Sequence, residues 1–326
     1  MCSNIPKISL IIPVYNVEKF IKKALDSVLN QTFKDYEVIM VNDGSTDDSL
    51  SILKDYANNY ENFHLIDQSN CGQGKARNNA IKVAKGEYIA FLDSDDFLAP
   101  NFFEVLYKNA TQNDADISCC NYYLYYDKSC KKIYMPFTAK TGIYSNQVAL
   151  KKLILDTTFH FFLWNKLFKK SLFTENNITF YDMYFEDVAT CPKLFYYANK
   201  VAFENTPLYY YRRHNNSTLS LIDAPKTNDF IKSLGIIRNF LEEKNIYNKY
   251  KVAFKLYAFR FKFQVAHCIL MDHIDKMSFS DLSLNLKRAN CAINLFKNDN
   301  YIPENDPPIL PLYVQSPQQS KKVFTR

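Results

Sequence analysis

Residues 7–16 read KISLIIPVYN, residues 36–46 YEVIMVNDGST and residues 88–96 YIAFLDSDD. Each is a short apolar run that stops abruptly at a polar cluster, the pattern of a buried strand ending in a loop. Between the first two, Val17–Leu29 carries Val17, Phe20, Ile21, Ala24, Leu25 and Val28 at helical spacing. The same reading gives strands at Phe63–Ile66 and Asp116–Leu124, and helices near Asp48–Ala57, Lys75–Ala84 and Asn101–Ala110. Strand–helix alternation with short loops predicts an α/β fold, a mostly parallel sheet covered by helices on both faces. In such sheets ligands bind beyond the carboxyl ends of the strands.

The chain has 326 residues, 47% hydrophobic and 23% charged, enough to bury a core and too apolar to stay unfolded. No run of 18 apolar residues occurs, so no spanning helix is expected, and Ile8–Val17 reads as a buried strand and not as a signal peptide. The eight cysteines form no C-x-x-C pair and read as reduced core thiols of a cytoplasmic protein. Residues 1–225 hold 24 basic and 25 acidic side chains, whereas residues 226–326 hold 16 and 9. The net charge of +6 therefore lies in the last third, which suits an anionic surface such as the inner face of a membrane. From about residue 126 the alternation gives way to short elements. Helices follow near 227–244, 249–272 and 279–296, and five of the twelve prolines fall in 301–326, read as a flexible tail.

Four strand ends carry polar clusters: Pro13-Val14-Tyr15-Asn16, Asn42-Asp43-Gly44-Ser45, Asn70–Asn78 and Asp93-Ser94-Asp95-Asp96. A parallel sheet brings all four to one edge. Singly, each has a local use; Ser45–Asp48, for example, also reads as a capping box. Four of the six glycines fall between 44 and 86, each at a junction between periodic segments. Three carboxylates within residues 93–96 repel one another unless a cation or donor neutralises them. Carboxylates on alternate residues suit Mg²⁺ or Mn²⁺ with room left for phosphate oxygens, and Lys75 and Arg77 lie on the neighbouring loop.

Ile11–Asn16, Val28-Leu29-Asn30-Gln31-Thr32-Phe33, Val41–Asp47, Ala76-Arg77-Asn78 and Phe91–Asp96 occur in the order and spacing of a known family. Over about residues 6–215 the chain resembles the family 2 glycosyltransferases of the GT-A fold, which transfer sugars from nucleoside diphosphates, usually with inversion. The resemblance implies a nucleoside pocket lined by Pro13, Val14 and Tyr15, and a base contact from Asp43 with Asn70 and Arg77 nearby. It implies that Asp93 and Ser94 hold the ribose or sugar of the donor, that Asp95 ligates a divalent metal, and that Asp96 supports the loop. Phe185-Glu186-Asp187 resembles the family's Glu-Asp motif, with Asp187 as general base and Glu186 on the sugar. Tyr210–Ser217 resembles the segment that closes over the diphosphate, with Arg213 as a donor contact and His214 on the metal or diphosphate. Trp164-Asn165-Lys166-Leu167 is also similar to the family, and Trp164 reads either as a ring to stack on a sugar or as a buried anchor. By this resemblance residues 1–225 are a catalytic domain and 226–300 a helical addition.

Other classes fit less well. No G-x-G-x-x-G follows the first strand, Gly74-Lys75 is followed by Ala76 and not by Ser or Thr, and no zinc spacing or nucleic-acid motif is present. On a helix, Lys251, Lys255 and Lys262 form one stripe and Tyr250, Phe254, Tyr257 and Phe261 another. The aromatic stripe reads as packing onto the catalytic domain, with the lysines near water or lipid head groups. The expected activity is metal-assisted transfer from a UDP-sugar to a glycan or lipid-linked acceptor in polysaccharide assembly. The alternative is a nucleotide-sugar-binding protein without transferase activity, against which the intact acidic residues argue.

Overall fold

The computed structural model describes residues 5–135, 140–214 and 224–273. The expected helix at 279–296, the tail and Asn215–Ser217 lie outside them. One ten-stranded sheet organises the chain: β1 (Ile8–Val14), β2 (Tyr36–Asp43), β3 (Phe63–Gln68), β4 (Tyr88–Phe91), β5 (Phe97–Leu98), β6 (Ile117–Tyr126), β7 (Lys131–Met135), β8 (Gly142–Ser145), β9 (Lys166–Lys169) and β10 (Lys200–Arg212). The order is β3-β2-β1-β4-β9-β6-β10-β5, with β7 on β6 and β8 on β10. Strands β1 to β4 pair in parallel, as do β6 and β10, and β9 runs antiparallel between β4 and β6. Six strands thus point their carboxyl ends the same way.

β1 and β2 are buried along their whole length, as central parallel strands are. Leu10, Ile12 and Val14 pack on one face with helices α1 (Glu18–Leu29), α2 (Ser49–Asn59) and α4 (Phe102–Gln112). Ile11, Ile39 and Val41 face the other way, toward α3 (Gln73–Val83), α5 (Asn146–Ile154), α6 (Ser171–Thr174) and α7 (Glu186–Tyr197). That second core continues without a break into α8 (Ala224–Glu243) and α9 (Tyr247–His273) through Phe230, Leu234, Phe240, Tyr250, Phe254 and Tyr257. The aromatic stripe of α9 is therefore packed inward at these three rings. Among the described residues no helix is long and apolar enough to cross a membrane.

The first two strand-end loops are stitched to each other. Asn16, in the left-handed region at φ +51°, accepts from the Thr46 amide at 2.8 Å and donates its own amide to Ser45 Oγ at 3.1 Å. Asp47 accepts from the Glu18 amide and the Ser49 amide, both at 3.0 Å, and Glu18 returns an acceptor to the Asp48 amide at 3.1 Å. One carboxylate thereby satisfies orphan donors at the starts of both α1 and α2, where the sequence suggested capping of α2 alone. Asp47→Ala is expected to lower the unfolding free energy by about 1–2 kcal/mol, read from denaturant titration. No measurable loss would show that water replaces both caps.

Candidate active site

Strand β1 delivers Pro13 and Val14, both buried, and leaves Tyr15 50% exposed at the rim. Pro13 lies past Ile11, the last residue paired with β4, so its missing donor interrupts no ladder on that side. Asp43, at the end of β2, is buried, and its carboxylate is already engaged. Oδ1 accepts from the Cys71 amide at 2.9 Å and Gln68 Nε2 at 2.8 Å, and Oδ2 from the Gly72 amide at 2.9 Å. Asp43 therefore sets the loop before α3. Gly44 makes this possible: it has φ +73°, and a Cβ there would come within 2.7 Å of the Asn70 nitrogen. Asn70 itself is exposed.

The carboxylates converge on a buried guanidinium. Arg77, on α3, places Nη2 at 3.1 Å from Asp93 Oδ1 and pairs through Nη1 with Glu186 at the start of α7. It lies over the rings of Phe91 and Phe180 and is 4% exposed, behind the carboxylates and not open to solvent. Burial alone would lower its pKa; Glu186, Asp93 and Asp187 outweigh that and raise it. α3 approaches so closely because residue 74 is glycine. A Cβ there would meet the Tyr181 carbonyl oxygen at 2.3 Å.

Burial, with Asp95 and Glu186 close by, pushes the Asp93 carboxyl up to about 6 against the pull of Arg77. Burial and neighbouring Glu186 push Asp187 up to about 7. Phe185, immediately before, holds φ +60°, a strained value for a bulky residue that turns the chain into α7. Ser94 is buried between the carboxylates. Asp96 is fully buried and accepts from Tyr209 Oη and the Arg212 amide, both at 2.7 Å. It joins the acidic loop to β10, as a supporting residue would.

β10 also places Arg212, Arg213 and His214. Arg212 is buried, its Nη1 on Asp127 at 2.8 Å, while Arg213 is exposed near the Tyr211 ring. His214 Nε2 lies 2.8 Å from Asp95 Oδ2, and its ring stacks on Phe20. Trp164 is only 5% exposed, stacked with Phe162, Tyr209 and Tyr211. It is a buried anchor and presents no open face to a sugar. Its neighbours Asn165 and Lys166 are likewise structural: Asn165 Nδ2 donates to the Cys120 carbonyl at 2.8 Å, and the buried Lys166 ammonium donates to Asn165 Oδ1 at 2.7 Å.

Among the described residues no cluster of three or more His, Cys, Asp or Glu forms a metal cage. Asp95 and His214 nevertheless supply one hard oxygen and one imidazole side by side, with further acidic groups behind them. Such a donor pair fits Mn²⁺ or a similar cation whose remaining positions are filled by phosphate and water. Sequence reading did not single out Tyr209, Arg212 or Gln73, whose Nε2 reaches Asp93 Oδ1 at 3.3 Å. For Tyr209 the available signal was its alternation with Tyr211 along β10; Arg212 and Gln73 carried none.

The raised Asp93 and Asp187 carboxyls bind protons in the folded chain that ordinary carboxyls, near 4, have released. Stability therefore falls as pH rises through the interval from about 4 to about 7. Asp187→Asn is expected to melt at a higher temperature than the wild type at pH 8, with the gap closing below about pH 4, where Asp187 is protonated in both states. A lower melting temperature at pH 8 would contradict the burial cost.

The sequence profile of glycosyl transferase family 2 matches residues 9–175. The glycosyltransferase EpsJ of Bacillus subtilis is 33% identical over 258 residues, covering 76% of this chain and 72% of its own. S. aureus TarS 1-349, solved in complex with UDP-GlcNAc, superposes with a TM-score of 0.69 at 21% identity, over 89% of this chain and 81% of its own. The mannosyltransferase PcManGT from Pyrobaculum calidifontis, solved with GDP-Man and Mn²⁺, gives 0.57 at 15% identity, over 89% and 81%. The sheet with its covering helices is the GT-A arrangement, and the chain belongs to glycosyl transferase family 2 and is a glycosyltransferase.

Proposed function

We propose that this glycosyltransferase moves a sugar with inversion from a nucleoside diphosphate, UDP before others, to a hydroxyl of a glycan or lipid-linked acceptor. The observation that carries the reading is Asp187: a carboxyl at the start of α7, next to Glu186 of the Arg77–Glu186 pair and pushed up to about 7. A base poised near neutral pH suits proton transfer from an alcohol. It takes the acceptor proton as that oxygen attacks the anomeric carbon, on the face opposite the departing diphosphate. Pro13, Val14, Tyr15 and Asp43, with Asn70, are assigned to the nucleoside. Asp93 and Ser94 are assigned to the ribose or sugar, Glu186 to the sugar, and Arg213 to the diphosphate, whose negative charge grows as the bond breaks. Arg77 acts on the donor through Asp93 and Glu186.

Asp95 and His214 would hold a divalent cation. When bound, the ion supplies charge stabilisation to the diphosphate leaving group. The UDP-GlcNAc bound to TarS and the GDP-Man and Mn²⁺ bound to PcManGT support a nucleotide sugar and a metal of this kind. The cytoplasm is the proposed place of action, and the basic last third suits the inner face of a membrane.

Asp187→Asn keeps the shape and removes the basic oxygen. In single-turnover assays it is expected to lose about 10²-fold or more in rate, with UDP affinity retained. In the wild type, kcat/KM is expected to fall as pH drops through about 7, because the base must be unprotonated. A wild-type rate in the variant would move the base elsewhere. EDTA, and separately Asp95→Asn, are expected to abolish turnover without unfolding the chain; full activity in EDTA would remove the metal from the mechanism.

A further inference from the structure

The acidic residues at 93–96 sit on a turn whose shape is set from outside it. The Asp96 amide donates to the Asp93 carbonyl at 3.0 Å and closes the turn. Ser94 and Asp96 are buried, while the Asp93 and Asp95 side chains stay 26% and 27% exposed. The entry is tied to β1, where the Leu92 amide donates to the Ile11 carbonyl at 3.0 Å. The exit is tied to β10: the Ala99 amide donates to the Leu208 carbonyl at 2.8 Å, and Leu98 pairs with Tyr209.

The Tyr209 hydroxyl spans the base of this turn. It donates to Asp96 Oδ2 at 2.7 Å and accepts from the Asp93 amide at 3.3 Å, so one oxygen holds the first and last residues of the turn. A phenol has one proton and free lone pairs and can do both at once. The ring is fully buried, with Trp164 stacked on it at 4.3 Å and Phe102 at 6.4 Å. Trp164 is fixed in turn through Asn165, whose Nδ2 donates to the Cys120 carbonyl at 2.8 Å and whose carbonyl accepts from the Cys120 amide at 3.0 Å. The buried Trp164, which meets no sugar, thus supports the acidic turn from behind.

The carboxylates of the turn are held in different ways. Asp93 Oδ1 takes Arg77 Nη2 at 3.1 Å and Gln73 Nε2 at 3.3 Å, independently of Tyr209. Asp95 Oδ2 meets His214 Nε2 at 2.8 Å, and His214 follows Tyr209 by five residues. One run of chain therefore carries both the hydroxyl that shapes the turn and the imidazole that faces Asp95. A shift of the turn alters the spacing of that donor pair, and a working site needs its groups held to within about 0.5 Å.

We propose that Tyr209 is the positioning residue of the cation site: its hydroxyl, held in place by Trp164, joins the Asp93 amide to the Asp96 carboxylate and so sets Asp95 at the distance from His214 that a divalent ion requires. The proposal rests on the transferase reading above and on its assignment of Asp95 and His214 to the ion.

The test titrates Mn²⁺ into the full chain with UDP present and counts the free ion by electron paramagnetic resonance, against a blank of UDP alone. The wild type is expected to take up Mn²⁺ saturably. Tyr209→Phe keeps the ring in the Trp164 stack and removes the hydroxyl. It is expected to weaken Mn²⁺ binding about tenfold, the scale of one lost hydrogen bond to a charged group. UDP affinity in EDTA, by calorimetry, is expected to stay within about twofold, because Asp93 keeps Arg77. A hydroxyl that served folding alone would lower the melting temperature and leave Mn²⁺ affinity unchanged; that result in a folded variant overturns the proposal. Should Tyr209→Phe not fold, Trp164→Phe leaves a smaller ring against Tyr209 and is expected to weaken Mn²⁺ about threefold at constant UDP affinity. Unchanged Mn²⁺ affinity there overturns the proposal as well. A wild type that binds UDP but takes up no Mn²⁺ removes the cation assignment and this proposal with it, and leaves the nucleotide-sugar reading standing. A wild type that binds no UDP overturns that reading too.

Discussion

One buried guanidinium holds the carboxyl edge of the sheet together. Asp93, Asp95, Asp96, Glu186 and Asp187 come from two distant stretches of chain and converge with strong mutual repulsion. Arg77 pairs with one member of each stretch, Asp93 from the end of β4 and Glu186 from the start of α7. Removing one side of a buried ion pair leaves the other charge uncompensated, a cost of about 3–5 kcal/mol. Here two carboxylates would be stranded by one loss. The position of Arg77 depends in turn on Gly74, because α3 can lie against the Tyr181 backbone only where no Cβ intervenes.

Arg77 does not neutralise the group; it leaves a deficit. The chain places further donors around the rim: His214 on Asp95, the Tyr209 hydroxyl and Arg212 amide on Asp96. The Tyr209 hydroxyl and the Arg212 amide arrive on β10 and His214 just past its end, 113 to 119 residues after the carboxylates they meet. The parallel pairing of β10 with β6 and its short antiparallel pairing with β5 fix where those donors land. The acidic loop after β4 is therefore coupled to the end of β10 through sheet register and not through loop contacts alone.

The first half of this arrangement is legible in the sequence because it is local. Each of β1 to β4 is a continuous apolar run, each loop begins at its end, and parallel pairing brings the ends together without further information. Asp93, Asp95 and Asp43 could be placed at that edge from spacing alone. What spacing does not carry is which partner a side chain takes. Asp43 looks open at a strand end, yet three donors from the next loop occupy it. Arg77 reads as a donor contact on a loop, yet it is buried on α3 and paired with Asp93 and Glu186. Trp164 looks like a lone ring available to a sugar, yet it is stacked with Phe162, Tyr209 and Tyr211. The antiparallel β9 is likewise invisible locally, since four residues between β4 and β6 are specified by both neighbours and by no motif of their own.

The aromatic content is the device by which this chain carries a costly site. Ionised Asp93 and Asp187 are destabilising where they sit, and the strained Phe185 adds to the burden. Opposite them, Phe91 and Phe180 pack against the Arg77 guanidinium, and Phe185 packs edge-on against Phe230 of α8. Tyr257 of α9 contacts Phe161 in the 155–165 loop. Large rings bury 150–250 Å² each, at roughly 25 cal/mol per Å², so a few of them offset one unfavourable carboxyl. Helices α8 and α9 are thus the apolar counterweight of the acidic edge. They share one core with the sheet and hold the start of α7 through the Phe185–Phe230 contact and the Asp229 carboxylate, which accepts from the Tyr184 amide at 2.9 Å.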